Sequence, residues 1–358
     1  MKKKGSDTKK IKPVPLYFHR SNGQADRAID NLIHLVGGIR KPKYIREMII
    51  AALKAGQEDE NSADLRLMNT TMKEMRFTGK VFGPYRHVKK VTVFGSARTQ
   101  SHESAYRTAK EMGRKLREAG YMVITGGGPG IMQAVNEGAG ADYSFGVNIR
   151  LPFEQKNNPV IDGNPKTVTY KYFFNRKVAF IKEAHAVVLF PGGFGTLDEG
   201  METLMLVQTG KRNMIPLIFI DPPGSSYWTR WLDFIRAELT EHGFISPDDF
   251  NLFDHFESVE HTVAHINRFY YRYHSLRYVR EQLVIRMLSE IPGHIIAEMK
   301  EEFADILIPG GTIKMSCSLP EESEEPEIAH LPRLLVDFSR ISFGRLRLLI
   351  DRINSDAF

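Results

Sequence analysis

Residues 186–208, AVVLFPGGFGTLDEGMETLMLVQ, decide the fold. The first five form a continuous apolar run rich in valine, which suits a strand buried on both faces. A glycine-rich turn follows, PGGFGT at 191–196, and then a helical stretch, TLDEGMETLMLVQTG. Strand, glycine loop and helix make the repeating half of a doubly wound sheet. The same rhythm runs from about residue 88 to 270. VTVFG (91–95) leads to a helix over 104–120, and YMVIT (121–125) leads through GGGPG to a helix ending near Ala139. FGVNIRL, TVTYKY and MIPLIFI (214–220) read as strands, and FFNRKVAFIKEA as a helix. The expected fold class is α/β: a Rossmann-like, doubly wound parallel sheet covered on both faces.

Four zones are expected along the 358 residues. Residues 1–23 read as a basic flexible arm. Residues 24–80 read as a helical extension, with AIDNLIHLVGG, YIREMIIAALKAG and ADLRLMNTTMKEMRF apolar at three- and four-residue spacing. This zone holds no set of reactive residues and reads as packing or oligomer surface. Residues 81–272 read as the Rossmann-like domain. Residues 273–358 form a small α+β module, a candidate regulatory unit, reading QLVIRML, IIAEMKEEFADI, TIKMSC, RLLVDF and FGRLRLLIDRI. That order is βαββα, one strand short of a ferredoxin-like sheet. The acidic insert PEESEEPEI is expected as a solvated loop, and the aromatic segment YYRYHSLRY (270–278) as packing at a domain seam.

The charge is unevenly placed. Residues 1–12 hold six lysines and one aspartate, which is five of the net charge of +6. The high isoelectric point thus belongs to a tail, read as a solvated arm, and nucleic acid is not an expected partner. No secretory pattern and no membrane-length apolar run is visible. Cys317 is the only cysteine, so no intramolecular disulfide and no cysteine-based zinc cluster can form. The histidines show no metal-ligand spacing, so neither a metal nor an organic cofactor is expected. The location expected is the cytoplasm.

In an open parallel sheet, ligands sit beyond the carboxyl ends of the strands. Three loops there carry small residues: GSAR (95–98), GGGPG (126–130) and PGGFGT (191–196). Glycine allows close approach of backbone to ligand, and the N–H groups that open a helix suit an anion. A dinucleotide fingerprint fails, because counting from Gly126 puts Ile131 in the last glycine place. A P-loop fails for want of its Gly-Lys-Ser/Thr. A mononucleotide or sugar phosphate remains.

Glu199 then has two readings. Thr196-x-x-Glu199 matches a capping box, in which threonine and glutamate each satisfy an orphan N–H at a helix start, worth about 1 kcal/mol. Alternatively Glu199 does chemistry beside a bound phosphate, which would compete for the same N–H groups and repel a carboxylate lying on them.

TGGGPGIM, FFNRK and PGGFGTLDE, in this order after the GSAR strand, resemble the Lonely Guy (LOG) phosphoribohydrolases, whose hallmark is PGGxGTxxE. Members of that family are widely mislabelled as lysine decarboxylases. The resemblance covers about residues 75–270 and implies hydrolysis of the N-glycosidic bond of nucleoside 5′-monophosphates, giving free base and ribose 5-phosphate. It implies Arg176 and Glu199 as catalytic residues, with Glu199 pointing across the pocket toward the ribose. Gly193, Gly195 and Thr196 would then bind phosphate, and Ser96, Gly127, Gly128, Lys177 and Gly192 would complete the substrate contacts. Short members read Met-His-Glu-Arg-Lys where this chain has Phe173-Phe174-Asn175-Arg176-Lys177, and they lack its N- and C-terminal zones. These departures point to the larger bacterial relatives, which act on ordinary purine or pyrimidine nucleotides, rather than to strict cytokinin activation. The family also implies a dimer or larger homo-oligomer, and the appended module a small-molecule effector. A nucleotide sensor with the same pocket and no turnover is the rival reading.

Overall fold

The structure is a computed structural model that describes residues 14–58, 61–151 and 157–355. The lysine-rich stretch 1–12 lies outside the described residues. The chain divides into two compact units, one ending at Met75 and the other running Arg76–Phe358.

The first unit is helical, with α1 (Gln24–Val36), α2 (Pro42–Glu58) and most of α3 (Ser62–Phe82). Its core is small. Leu16, Ile29 and Ile50 are buried together, with Ala25, Ile33 and Ile49 packed on them. Polar contacts assist: the Arg46 guanidinium lies 2.5 Å from the Asp26 carboxylate, and Lys54 Nζ donates to the carbonyl of Leu16 at 3.2 Å. Leu35 and Val36 stay exposed.

The second unit begins with the last turns of α3, where Phe82 stacks on Phe145 at 4.4 Å and Thr78 Oγ1 lies 2.5 Å from Tyr170 Oη. Its main sheet has seven strands: β1 (Lys90–Phe94), β2 (Met122–Thr125), β3 (Ser144–Ile149), β4 (Thr167–Tyr170), β5 (Ala186–Leu189), β6 (Leu217–Ile220) and β7 (Asp254–Phe256). All pairings are parallel, and the order is β4-β3-β2-β1-β5-β6-β7. The expected doubly wound sheet is present. Strands β1, β2 and β5 are buried at every position, as continuous valine-rich runs demand. Helices α4 (Ser104–Glu118), α5 (Ile131–Ala139), α6 (Phe173–Glu183), α7 (Phe194–Gln208), α8 (Tyr227–Phe234) and α9 (Val259–Phe269) connect or follow these strands. Helices α4 and α5 meet so closely that a Cβ on Gly138 would stand 1.8 Å from the carbonyl oxygen of Lys110. The chain reverses its direction across the sheet between β1 and β5. Their loops therefore flank the switch point, where doubly wound sheets open a crevice.

A second sheet in the same unit contains β8 (Tyr273–Val279), β9 (Gln282–Met287), β10 (Ile313–Ser316) and β11 (Arg333–Val336), antiparallel in the order β10-β11-β9-β8. Helices α10 (Gly293–Glu302) and α11 (Phe343–Ile353) accompany it. The strand missing from the sequence reading is β8, inside the segment read as seam packing. The order is ββαββα.

The acidic insert is also not simply solvated. Glu322 is buried and accepts hydrogen bonds from Arg286 Nε at 2.8 Å and Arg333 Nε at 3.0 Å. Arg333 itself is fully buried and also donates to the carbonyl of Ile328 at 3.1 Å. Two cations from β9 and β11 recruit a carboxylate because burying them unpaired would cost several kcal/mol.

Candidate active site

A cleft of about 820 Å³ opens at the switch point, lined by residues of the loops after β1, β2 and β5 and by α6, α7 and Tyr227. The three loops are tied to one another through Ser96. Its N–H donates to the carbonyl of Pro191 at 3.1 Å, and its carbonyl accepts from Ile131 N–H at 3.0 Å. Close approach requires glycine at Gly130, which has φ +67° and where a Cβ would stand 2.3 Å from the Ser96 carbonyl oxygen. The Ser96 hydroxyl accepts from Arg98 N–H at 3.1 Å and so braces its own turn.

Helix α7 begins at Phe194 with Gly193 as its N-cap, and no side chain caps it. Thr196 therefore lies inside the first turn and Glu199 in the second. The capping-box reading of these two residues fails on this geometry. The N–H groups of Thr196 and Leu197 already donate to the Gly193 carbonyl, at 3.0 and 3.2 Å. The N–H groups of Phe194 and Gly195 open the helix without an intrahelical acceptor and face the positive end of its dipole. Gly193, Phe194, Gly195 and Thr196 all line the cleft. Gly192 lines it too, held from behind. Its carbonyl accepts from Tyr227 Oη at 2.8 Å, and a Cβ there would stand 2.2 Å from Thr196 Oγ1.

Glu199 is 6% exposed, and its Oε2 is buried without a hydrogen-bond partner. Burial pushes the carboxyl up to about 7, against the downward pull of Lys177 and Arg176. At neutral pH it is poised between acid and base, the condition for proton transfer. Arg176, half-buried on α6, donates through Nε to the carbonyl of Val147 at 2.8 Å and lies over the Phe180 ring at 5.0 Å. Its Nη2 sits so close to Gly126 that a Cβ there would be 2.5 Å away. Burial lowers its pKa, opposed by Glu199, and a guanidinium remains charged at any physiological pH.

The remaining expected residues are placed differently. Lys177 is not among the residues lining the cleft. Its Nζ lies 2.8 Å from Asp198, 2.8 Å from Glu202 and 3.8 Å from Glu199. It is the cation within 4.0 Å of Glu199 among the described residues. Gly127 and Gly128 are buried behind the cleft wall. Gly127 has φ +71° and packs on Asn148, its N–H donates to Thr125 Oγ1 at 3.1 Å, and the Gly128 carbonyl accepts from Asn158 Nδ2 at 3.1 Å. They shape the wall from behind.

Sequence reasoning missed Arg98, Met132, Phe173 and Tyr227, all of which line the cleft. Arg98 stood inside the quoted GSAR loop and could have been chosen as a cation at a strand end. Tyr227 gave no signal, since it is brought in by α8. That helix is anchored by buried Asp221, which accepts from the N–H of Trp228 and of Thr229 at 3.1 Å each.

The family model described as "Possible lysine decarboxylase" matches residues 117–266. A cytokinin riboside 5′-monophosphate phosphoribohydrolase of Arabidopsis thaliana is 29% identical over 163 residues, covering 44% of this chain and 72% of the relative. A pyrimidine/purine nucleotide 5′-monophosphate nucleosidase of Escherichia coli is 28% identical over 154 residues, covering 39% of this chain and only 33% of the relative. The X-ray structure of a structural-genomics target is 26% identical and covers 51% of this chain and 99% of its own, with a TM-score of 0.37. The matched residues 117–266 include both the Arg176 helix and the PGGFGTLDE loop, so the part of the chain similar to the family described as "Possible lysine decarboxylase" holds most of the cleft.

Proposed function

We propose that the protein hydrolyses the N-glycosidic bond of nucleoside 5′-monophosphates, releasing the free base and ribose 5-phosphate. The observation that supports this most is Glu199: a buried carboxyl with an unpartnered oxygen, beside a glycine-rich helix start suited to a phosphate. The two similar enzymes named above act, by their names, on nucleotide 5′-monophosphates. In this reading the 5′-phosphate accepts from the N–H groups at Gly193–Gly195 and from the Thr196 hydroxyl. As the bond from C1′ to the base nitrogen breaks, positive charge grows on the ribose. Ionised Glu199 stabilises that charge and takes a proton from the attacking water, whose oxygen bonds to C1′. The departing nitrogen gains a proton, so one water is consumed per bond broken. Arg176 holds anionic groups of the nucleotide at the cleft edge.

Incubation with AMP, GMP, CMP, UMP and a cytokinin riboside monophosphate tests this. Release of base from at least one is expected. Tight binding of a nucleotide with no release over hours would favour a sensor instead.

The reading extends along the chain: 24–80 as an assembly surface, 81–272 as the catalytic domain and 273–358 as a regulatory module, while the segment at Leu16, expected as part of an arm, is instead buried against Ile29 and Ile50. A homo-oligomer is supported by Phe174 and Val178 of α6 and Phe194 of α7, apolar side chains that are 47%, 48% and 92% exposed. Burying such a patch in a second copy is worth about 25 cal/mol per Å². Phe174→Asp is expected to lower the mass measured by light scattering; an unchanged mass would remove α6 from the interface. Regulation has a physical route through α7. Gly210, at its carboxyl end, has φ +67° and packs against the ring of Phe343, which opens α11. Phe343→Ala is expected to change kcat or KM by about threefold or more with the fold retained. Unchanged kinetics would argue against a regulatory module. The substrates proposed are intracellular metabolites, so the location that fits is the cytoplasm. No helix among the described residues is long and apolar enough to cross a membrane.

A further inference from the structure

Lys177 stands beside the reacting carboxyl but does not line the cleft. Its Nζ is held by two carboxylates, Asp198 and Glu202, each at 2.8 Å, while Glu199 Oε2 lies further away at 3.8 Å. Asp198 and Glu202 are an i,i+4 pair on α7, and Glu199 lies three residues before Glu202, so the lysine of α6 comes within 4 Å of all three. The side chains of Lys177 and Glu199 are 17% and 8% exposed, so solvent screens that pair weakly, while Asp198 and Glu202 stand nearer the solvent. A single lysine facing a single buried glutamate would close to an ion pair and occupy its free oxygen. Here the two outer carboxylates take two of the three donors an ammonium has, and Glu199 Oε2 is left without a hydrogen bond.

We propose that Lys177 is a positioning residue, not a substrate ligand: clamped by Asp198 and Glu202, it faces Glu199 Oε2 across 3.8 Å and sets the charge of that carboxyl without closing to a hydrogen bond with it. The inference rests on the reading of Glu199 as the catalytic carboxylate. The charged groups facing Glu199 are Arg176 and Lys177 from α6, and Asp198 and Glu202 from α7. Arg98 of the β1 loop lines the same cleft. Burial is the largest influence on Glu199 and raises it. Lys177 and Arg176 oppose that rise, and Glu202 and Asp198 add to it. Lys177 is itself lowered by burial, but Asp198 and Glu202 more than offset this and keep it protonated.

The two arms of the clamp thus push Glu199 in opposite directions, which a merely structural role would not do. Loss of the Lys177 charge makes Glu199 harder to ionise. Loss of the Asp198 and Glu202 charges makes it easier and frees the lysine to pair with it. The test titrates Glu199 directly, through the infrared C=O stretch of its protonated carboxyl, each protein read against its own Glu199→Gln counterpart. Lys177→Met keeps the aliphatic stem and is expected to raise the midpoint by about one pH unit or more. Asp198→Asn with Glu202→Gln is expected to lower it. In active protein the acid limb of kcat/KM against pH should move by the same amounts.

A midpoint unmoved in folded Lys177→Met, or moved the same way by both changes, would overturn the proposal. If Lys177→Met does not fold, the carboxylate pair decides alone: a downward move supports the clamp and no move overturns it. Should the infrared midpoints move as expected while the kinetic limb stays, the clamp stands and the catalytic assignment of Glu199 fails.

Discussion

Glu199→Gln is expected to lower turnover of nucleoside monophosphates about 1,000-fold while raising stability at alkaline pH. The loss follows from the chemistry, since an amide neither takes a proton nor offsets a developing positive charge, and such groups contribute roughly 100- to 10,000-fold. The gain follows from burial. The folded carboxyl titrates at about 7, against about 4.5 when unperturbed. Between those values the native state holds a proton that the unfolded state has lost, so stability falls as pH rises through this window. The difference is largest above pH 7 and amounts to roughly 3 to 4 kcal/mol, from about 1.4 kcal/mol per unit. Glutamine has no such penalty. The variant should therefore melt above the parent at pH 8 and together with it near pH 4. The same substitution separates the two sequence readings, because glutamine also completes a capping box. Full activity in the variant would remove Glu199 from the chemistry.

Arg176→Lys is expected to lower kcat about 100-fold with the fold retained. The arginine does two things at once. Its Nε holds the Val147 carbonyl at 2.8 Å, and its Nη2 lies against Gly126 at the cleft edge. A lysine has one nitrogen and can do only one of them. Charge alone is thus an insufficient replacement. Burial at this position also favours an uncharged amine over an ammonium. Thermal denaturation and kcat measured on the same sample decide this: near-normal kcat would mean that a point charge is all the site needs.

Much of this architecture was legible because it is local. The valine-rich strands β1, β2 and β5, the glycine loops after them and the amphipathic α4 each announce themselves within about fifteen residues. The misses are long-range or polar. Strand β7 is three half-buried residues, Asp254–Phe256, at the sheet edge, with no apolar run to betray it. Strand β8 carries arginine, histidine and tyrosine, and its pairing with β9 is irregular between Tyr273 and Ser275, so alternation is blurred. Glu322 is drawn into the core by arginines 36 and 11 residues away, which no window of sequence reports. In the site, the motif marked Glu199 and Arg176, and the structure brings both to one cleft. Lys177 was read as a substrate contact because the motif stops at Arg-Lys. Its partners Asp198 and Glu202 lie on another helix and became visible only when α6 and α7 were side by side.

The central claim is that one particular bond is broken at this cleft. Mixing the protein with the best nucleoside monophosphate and quantifying base, ribose 5-phosphate, nucleoside and inorganic phosphate in the same quenched samples tests it most directly. Equal amounts of free base and ribose 5-phosphate, growing together and suppressed by Glu199→Gln, are the predicted result. Nucleoside with inorganic phosphate, or no product from any nucleotide, would contradict it.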